Sequence, residues 1–231
     1  MTCLLYCIAK ENCDKALQEI RGVDAGGLFT VAGEDLWAVV SDYEAERPID
    51  PAGLAAYGEV IEYCHRRFPV IPMRFGCIFS GSDEILSFLR KHRSRYHGLL
   101  REFEDHVEMG IRVLGWEVEP ACRTLASDVS AGGGGRTFLS RRKDHYGRNA
   151  RNAREMEAVS DHFSGAFAGL YSKWKRECRP GMLSIYFLVG ERHAGAFTDA
   201  FRAVKQTMPR KLLLSGPWPP YNFAVPENET L

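Results

Sequence analysis

Seven cysteines and seven histidines are the groups in this chain best suited to nucleophilic or metal chemistry. The cysteines, Cys3, Cys7, Cys13, Cys64, Cys77, Cys122 and Cys178, are odd in number and scattered, with no Cys-x-x-Cys pair. That pattern predicts reduced thiols rather than a disulfide framework or a structural zinc site. None of the histidines has metal-ligand spacing with a nearby cysteine. His-Glu-x-x-His, Gly-x-Ser-x-Gly and Gly-x-x-x-x-Gly-Lys-Ser/Thr are all missing. Cys64 and His92 can be drawn as a nucleophile and its base, but nothing around them supports the pairing. The glycine run Gly132–Gly135 is followed by Arg136-Thr137, the wrong chemistry for a phosphate loop. The sequence predicts no enzyme, no cofactor and no metal.

Three other features stand out. Between Arg136 and Arg154 lie seven cations, among them Arg141, Arg142, Arg148, Arg151 and Arg154, against Asp144 alone. This stretch is read as a solvated helix start or as a face that docks an acidic partner. In VIPMRFGCIF (Val70–Phe79), Arg74 and Phe75 sit inside what reads as an apolar strand, so Arg74 is expected to pair with a carboxylate or face the open side of a sheet. In SGPWPPYNF (Ser215–Phe223), Pro217, Pro219 and Pro220 stiffen a segment carrying Trp218, Tyr221 and Phe223. These aromatics are expected to serve mainly the packing of their own domain, with one face left for a partner.

The elements that must position these residues follow from hydropathy patterning. CLLYCIA (Cys3–Ala9) is a buried strand, Asn12 caps a helix carrying Ala16, Leu17 and Ile20, and Leu28–Ala32 and Leu36–Tyr43 form a hairpin. Pro51 opens a helix with Leu54, Val60, Ile61, Cys64 and Phe68 inward, and Val70–Phe79 returns as a strand. The order β-α-β-β-α-β predicts a ferredoxin-like domain over 1–80. Residues 81–126 read as a helical segment and a connecting strand, 127–136 as a Gly-rich linker, and 137–231 as a smaller α+β domain. In that domain one long helix runs from Arg151 to Cys178, followed by a strand at Leu183–Val189 and a helix at Ala194–Met208. The fold class predicted is therefore α/β (α+β) in two domains. With 30 basic and 30 acidic residues in 231, and 45% hydrophobic residues, the chain is globular and is not a bulk electrostatic binder of nucleic acid. No run approaches the ~18–20 apolar residues of a membrane span, which predicts a soluble, cytoplasmic protein.

LLLSGPWPPYNF (Leu212–Phe223) resembles the C-terminal signature of the gas vesicle protein F/L family, and VIPMRFGCIF resembles its internal signature. LLYCIA, LWAVVSDY, EMGIR (Glu108–Arg112) and TFLSRR (Thr137–Arg142) are further similarities, in family order. Two departures are Cys77, where a small hydroxyl residue is expected, and Tyr57 or Gly58, where the family pattern implies a histidine. The resemblance implies an accessory or minor structural protein of gas vesicles, the gas-filled buoyancy shells of some prokaryotes. Such a protein is expected to bind the apolar shell protein and other accessory proteins during nucleation and assembly, and not nucleic acid or membrane. A small-ligand or nucleic-acid-binding regulatory module built on a ferredoxin-like domain is the competing expectation.

Overall fold

A computed structural model describes residues 2–44, 50–116 and 154–224. The described residues form a mixed α/β fold with two sheets, and the chain divides into two compact units. The first comprises Met1–Glu108, Gly190–Arg192 and Pro217–Leu231; the second comprises Met109–Val189 and His193–Gly216. The expected linker at 127–136 lies outside the described residues.

In the first unit, β1 (Cys3–Ala9) is buried along its whole length, as an all-apolar run should be. It lies antiparallel to β3 (Trp37–Asp42) on one side and to β4 (Val70–Pro72) and β5 (Ile78–Phe79) on the other. The hairpin partner of β3, β2 (Leu28–Ala32), forms one edge, which gives the order β2-β3-β1-β4. The connection after β1 holds one turn of α-helix, α1 (Asp14–Leu17), and a 3-10 turn at Val23–Ala25 set between Gly22 and Gly26. Helix α2 (Pro51–His65) starts where Asp50 accepts a hydrogen bond from the Gly53 amide at 2.6 Å, with Pro51 in the first turn. Tyr57, Val60, Ile61 and Cys64 face the core; Leu54, expected inside, is 53% exposed and its place is taken by Tyr57. Helix α3 (Ser82–Phe103) buries Ile85, Leu89, Tyr96, Leu100 and Phe103.

The hairpin tip is clipped to α3 by charge. Asp35 accepts from the Arg93 guanidinium at 2.9, 3.1 and 2.5 Å and lies 2.8 Å from His97 Nε2, with Glu34 3.6 Å from Arg93. Hydrogen bonds from Arg93 hold the Asp35 carboxyl at about 2, below its usual 3.8. A depressed carboxylate pKa stabilises the fold above the ordinary value and loses that contribution as pH falls through the depressed one. Asp35→Asn is therefore expected to lower the melting temperature at pH 7, and the gap to the parent should close between about pH 4 and pH 2. A gap independent of pH would show that the clip is not electrostatic.

The second unit is built on β6 (His106–Trp116), β7 (Tyr171–Arg179), β8 (Gly181–Gly190) and β9 (Leu212–Trp218), in the order β7-β8-β6-β9. Over β8 lie Phe163 and Phe167, at the end of helix α4 (described over 154–166), and Phe197, Phe201 and Val204 of α5 (Ala194–Thr207). The single long helix expected through Cys178 is not formed. Gly169, at φ 82°, ends the helical turn, and Tyr171–Arg179 pairs antiparallel with β8 from Tyr171↔Val189 to Arg179↔Met182. Pro180-Gly181, expected to stop a helix, is instead a two-residue hairpin turn, with Gly181 at φ 80° as a type II turn requires.

Candidate docking segment

The motif Val70–Phe79 is one strand with an extruded bulge. β4 pairs with Cys7–Ala9 and β5 with Cys3–Leu4, while between them the Met73 amide donates to the Tyr6 carbonyl and the Leu5 amide to the Cys77 carbonyl, both at 2.9 Å. Residues 74–76 are thereby pushed out of the sheet. Gly76, at φ 95°, turns the chain back. Arg74 is therefore exposed in a turn rather than lodged in a strand, where it needs neither the carboxylate partner nor the open sheet face expected for it. Phe75 points the other way, onto the Tyr57 ring at 4.9 Å and the Tyr43 ring at 6.4 Å, both edge-on.

Tyr57 holds the bulge from below. Its hydroxyl faces three carbonyls, Leu5 at 2.8 Å, Arg74 at 3.1 Å and Met73 at 3.2 Å, and burial raises its pKa so that it stays a donor. Tyr57 is one of the two positions, with Gly58, where the family resemblance implies a histidine, and its phenol does structural work. Its ring stacks on Tyr6 at 4.8 Å, whose hydroxyl accepts the Val23 amide at 2.9 Å and lies 3.0 Å from Ser41 Oγ. Among the thiols beneath, Cys7 is buried and pushed up, first by its hydrogen bond with Cys64 and then by burial, and Cys13 is pushed up to about 12 by burial. Cys64 thus meets a thiol, while His92 meets the rings of Phe88 at 4.9 Å and Tyr96 at 5.5 Å. Among the described residues there is no cluster suited to a metal ion.

The C-terminal motif enters the same core. After β9 the chain passes through buried Pro219 and Pro220 into a single turn, α6 (Tyr221–Ala224). Tyr221, half-buried and raised in pKa by burial, packs with Phe75 against the cluster that contains Tyr6, Cys7 and Tyr57. Glu108, only 4% exposed, accepts from the Asn222 amide at 2.7 Å and from Asn222 Nδ2 at 2.6 Å. Arg95 donates to the Ala224 carbonyl at 2.5 Å. Phe223 is half-buried, and Trp218 stands 44% exposed at the end of β9. The stretches quoted as VIPMRFGCIF, EMGIR and SGPWPPYNF thus converge through Phe75, Glu108, Tyr221 and Asn222. Glu108 carried no assigned role in the sequence; a carboxylate flanked by Val107, Met109 and Ile111 was the available signal, since a buried charge demands partners. Of the basic stretch, Arg154 is exposed at the described start of α4, and Arg141, Arg142, Arg148 and Arg151 lie outside the described residues.

No helix among the described residues is long and apolar enough to cross a membrane. The chain is 27% identical over 203 residues to gas vesicle protein F of a Streptomyces species, covering 81% of this chain and 84% of that one. It is 26% identical over 227 residues to gas vesicle protein F2 of Halobacterium salinarum, covering 94% of this chain and 89% of that one. Its fold matches the crystal structure of gas vesicle protein GvpF from Microcystis aeruginosa with a TM-score of 0.74 over 97% of this chain and 99% of that one, at 14% identity. The family model for gas vesicle synthesis protein GvpL/GvpF matches residues 2–225, and the chain belongs to that family, with a gas-vesicle-related role.

Proposed function

We propose that the protein is an accessory or minor structural component of gas vesicles that binds the apolar shell protein and other accessory proteins during nucleation and assembly, in the cytoplasm and at the vesicle. In this reading the first unit is a ferredoxin-like domain that serves as a rigid base for a docking segment, with no catalytic role. The observation that carries it is the contrast within one short segment. Pro219 and Pro220 are buried and Asn222 is clamped by Glu108, while Trp218 beside them is 44% exposed. A large aromatic held out on a fixed backbone loses little entropy on binding and makes a good interface anchor. Exposed Arg74 and half-buried Phe75 on the adjoining bulge are proposed to frame it, and Arg141, Arg142, Arg148, Arg151 and Arg154 to add a salt-sensitive contact.

The test replaces Trp218 and Tyr221 singly by alanine and measures both melting temperature and copurification with coexpressed shell protein. Tyr221→Ala should cost about 1–3 kcal/mol of stability, because its ring packs on the core. Trp218→Ala should leave melting nearly unchanged and reduce capture of shell protein. Full capture by a folded Trp218→Ala variant would remove this segment as the docking site.

A further inference from the structure

Helix α3 presents a second surface, on the side away from its buried face. From Ile85 to Arg101 it carries Arg90, Lys91, Arg93, Arg95 and Arg101 and no carboxylate. Arg93 is neutralised by Asp35 and Glu34, and Arg95 is spent on the Ala224 carbonyl. Among the described residues Arg90 and Arg101 donate only to carbonyls one turn back, Leu86 and His97, both at 3.3 Å, and with Lys91 they are exposed. Eleven residues separate Arg90 from Arg101, which at 3.6 residues per turn puts them on one side of the helix about 16 Å apart. The helix dipole accounts for a cation in the last turn, such as Arg101, but not for Arg90 and Lys91 in mid-helix.

Beside this row lies a cleft of about 300 Å³ between the hairpin tip and α3. Ala32, Leu36, Leu86 and Leu89 supply its apolar floor, and Arg90 and Arg93 stand at its rim. Its volume is at the low end of the roughly 300–1,000 Å³ of ligand pockets, which suits aliphatic side chains better than an extended small molecule. We infer that the outer face of α3 docks an acidic amphipathic polypeptide segment, placing an aliphatic side chain in the cleft and carboxylates against Arg90, Lys91 and Arg101. Charge complementarity selects the acid, and the apolar floor selects a polypeptide over nucleic acid. A phosphate backbone carries no aliphatic side chain and would leave that floor uncovered. The inference rests on the reading of the protein as a binder of other polypeptides, and it assigns that role a surface separate from Trp218.

The experiment uses the full chain and a fluorescein-labelled designed helix with leucines along one face and glutamates flanking them, followed by anisotropy. Reversing Arg90, Lys91 and Arg101 together to glutamate should weaken binding about tenfold or more, while reversing Lys10, Lys15 and Arg21 should change it less than about twofold. Ala32→Phe, which fills the cleft, should abolish the preference for the leucine-bearing helix over its alanine-bearing counterpart. Trp218→Ala should leave this binding intact, so failure here is distinguishable from failure of the shell-protein reading. Equal losses in the two triple variants, an Ala32→Phe protein that still prefers leucine, or polyuridine RNA binding as tightly as the peptide would each overturn the inference.

Discussion

Phe167→Ala is expected to lower the unfolding free energy by about 3–5 kcal/mol in denaturant titration, the range for truncating a buried aromatic. Phe167 is fully buried one residue past α4, and three rings surround it: Phe163 at 6.0 Å, Phe187 at 5.4 Å edge-on and Phe197 at 4.4 Å. These come from the end of α4, from β8 and from α5, so a single deletion loosens a helix end, a strand and a second helix at once. Offset and edge-on ring pairs add about 0.5–1.5 kcal/mol each beyond area burial, which places the expected loss toward the upper part of the range. A loss under ~1 kcal/mol would mean that the surrounding rings close over the gap.

The second large effect is expected at Asn222. Asn222→Ala removes the Nδ2 donor from a carboxylate that is almost wholly buried, and hydrogen bonds to charged groups are worth about 1.5–3 kcal/mol. Asn222→Asp should be worse at neutral pH, because it sets a second carboxylate where Nδ2 stood 2.6 Å from Glu108 Oε1. Acidification should rescue the aspartate variant relative to the alanine variant, since protonating one carboxyl of the pair restores a donor. Melting curves at pH 7 and pH 5 decide it. Equal behaviour of the two variants at both pH values would show that Glu108 does not clamp the C-terminal turn.

Apolar runs were legible in the sequence wherever burial was complete. CLLYCIA and LSIYFLV read as strands because nothing polar interrupts them, and Phe163, Phe197 and Phe201 read as core from helical spacing. The misreadings came from segments that satisfy two periods. In YSKWKRECR the half-buried Tyr171, Trp174 and Cys178 fit a helix stripe continuing from Phe167. Gly169 before it and the Pro180-Gly181 hairpin turn after it decide for a strand, because a Pro-Gly pair suits a tight turn as well as a helix end. Arg74 was misplaced for a related reason. An apolar run with one arginine looks like a strand with a buried charge, whereas Pro72 and Gly76 together allow the chain to leave the sheet and return. Neither the convergence of Glu108 on Asn222 nor that of Phe75 on Tyr57 has a local signal, because each joins residues distant in sequence.

The edge of the first sheet carries a consequence for how the protein behaves at high local concentration. At β2 the outward Thr30 amide is already bound by the Asp14 carboxylate at 2.9 Å, and the same oxygen takes the Thr30 hydroxyl at 2.7 Å. An incoming strand would have to displace an anion from two donors and then lie against its charge. One residue of a four-residue helix, α1, thus occupies an outward donor in the middle of β2 and opposes templated cross-β growth at that rim when copies are crowded together.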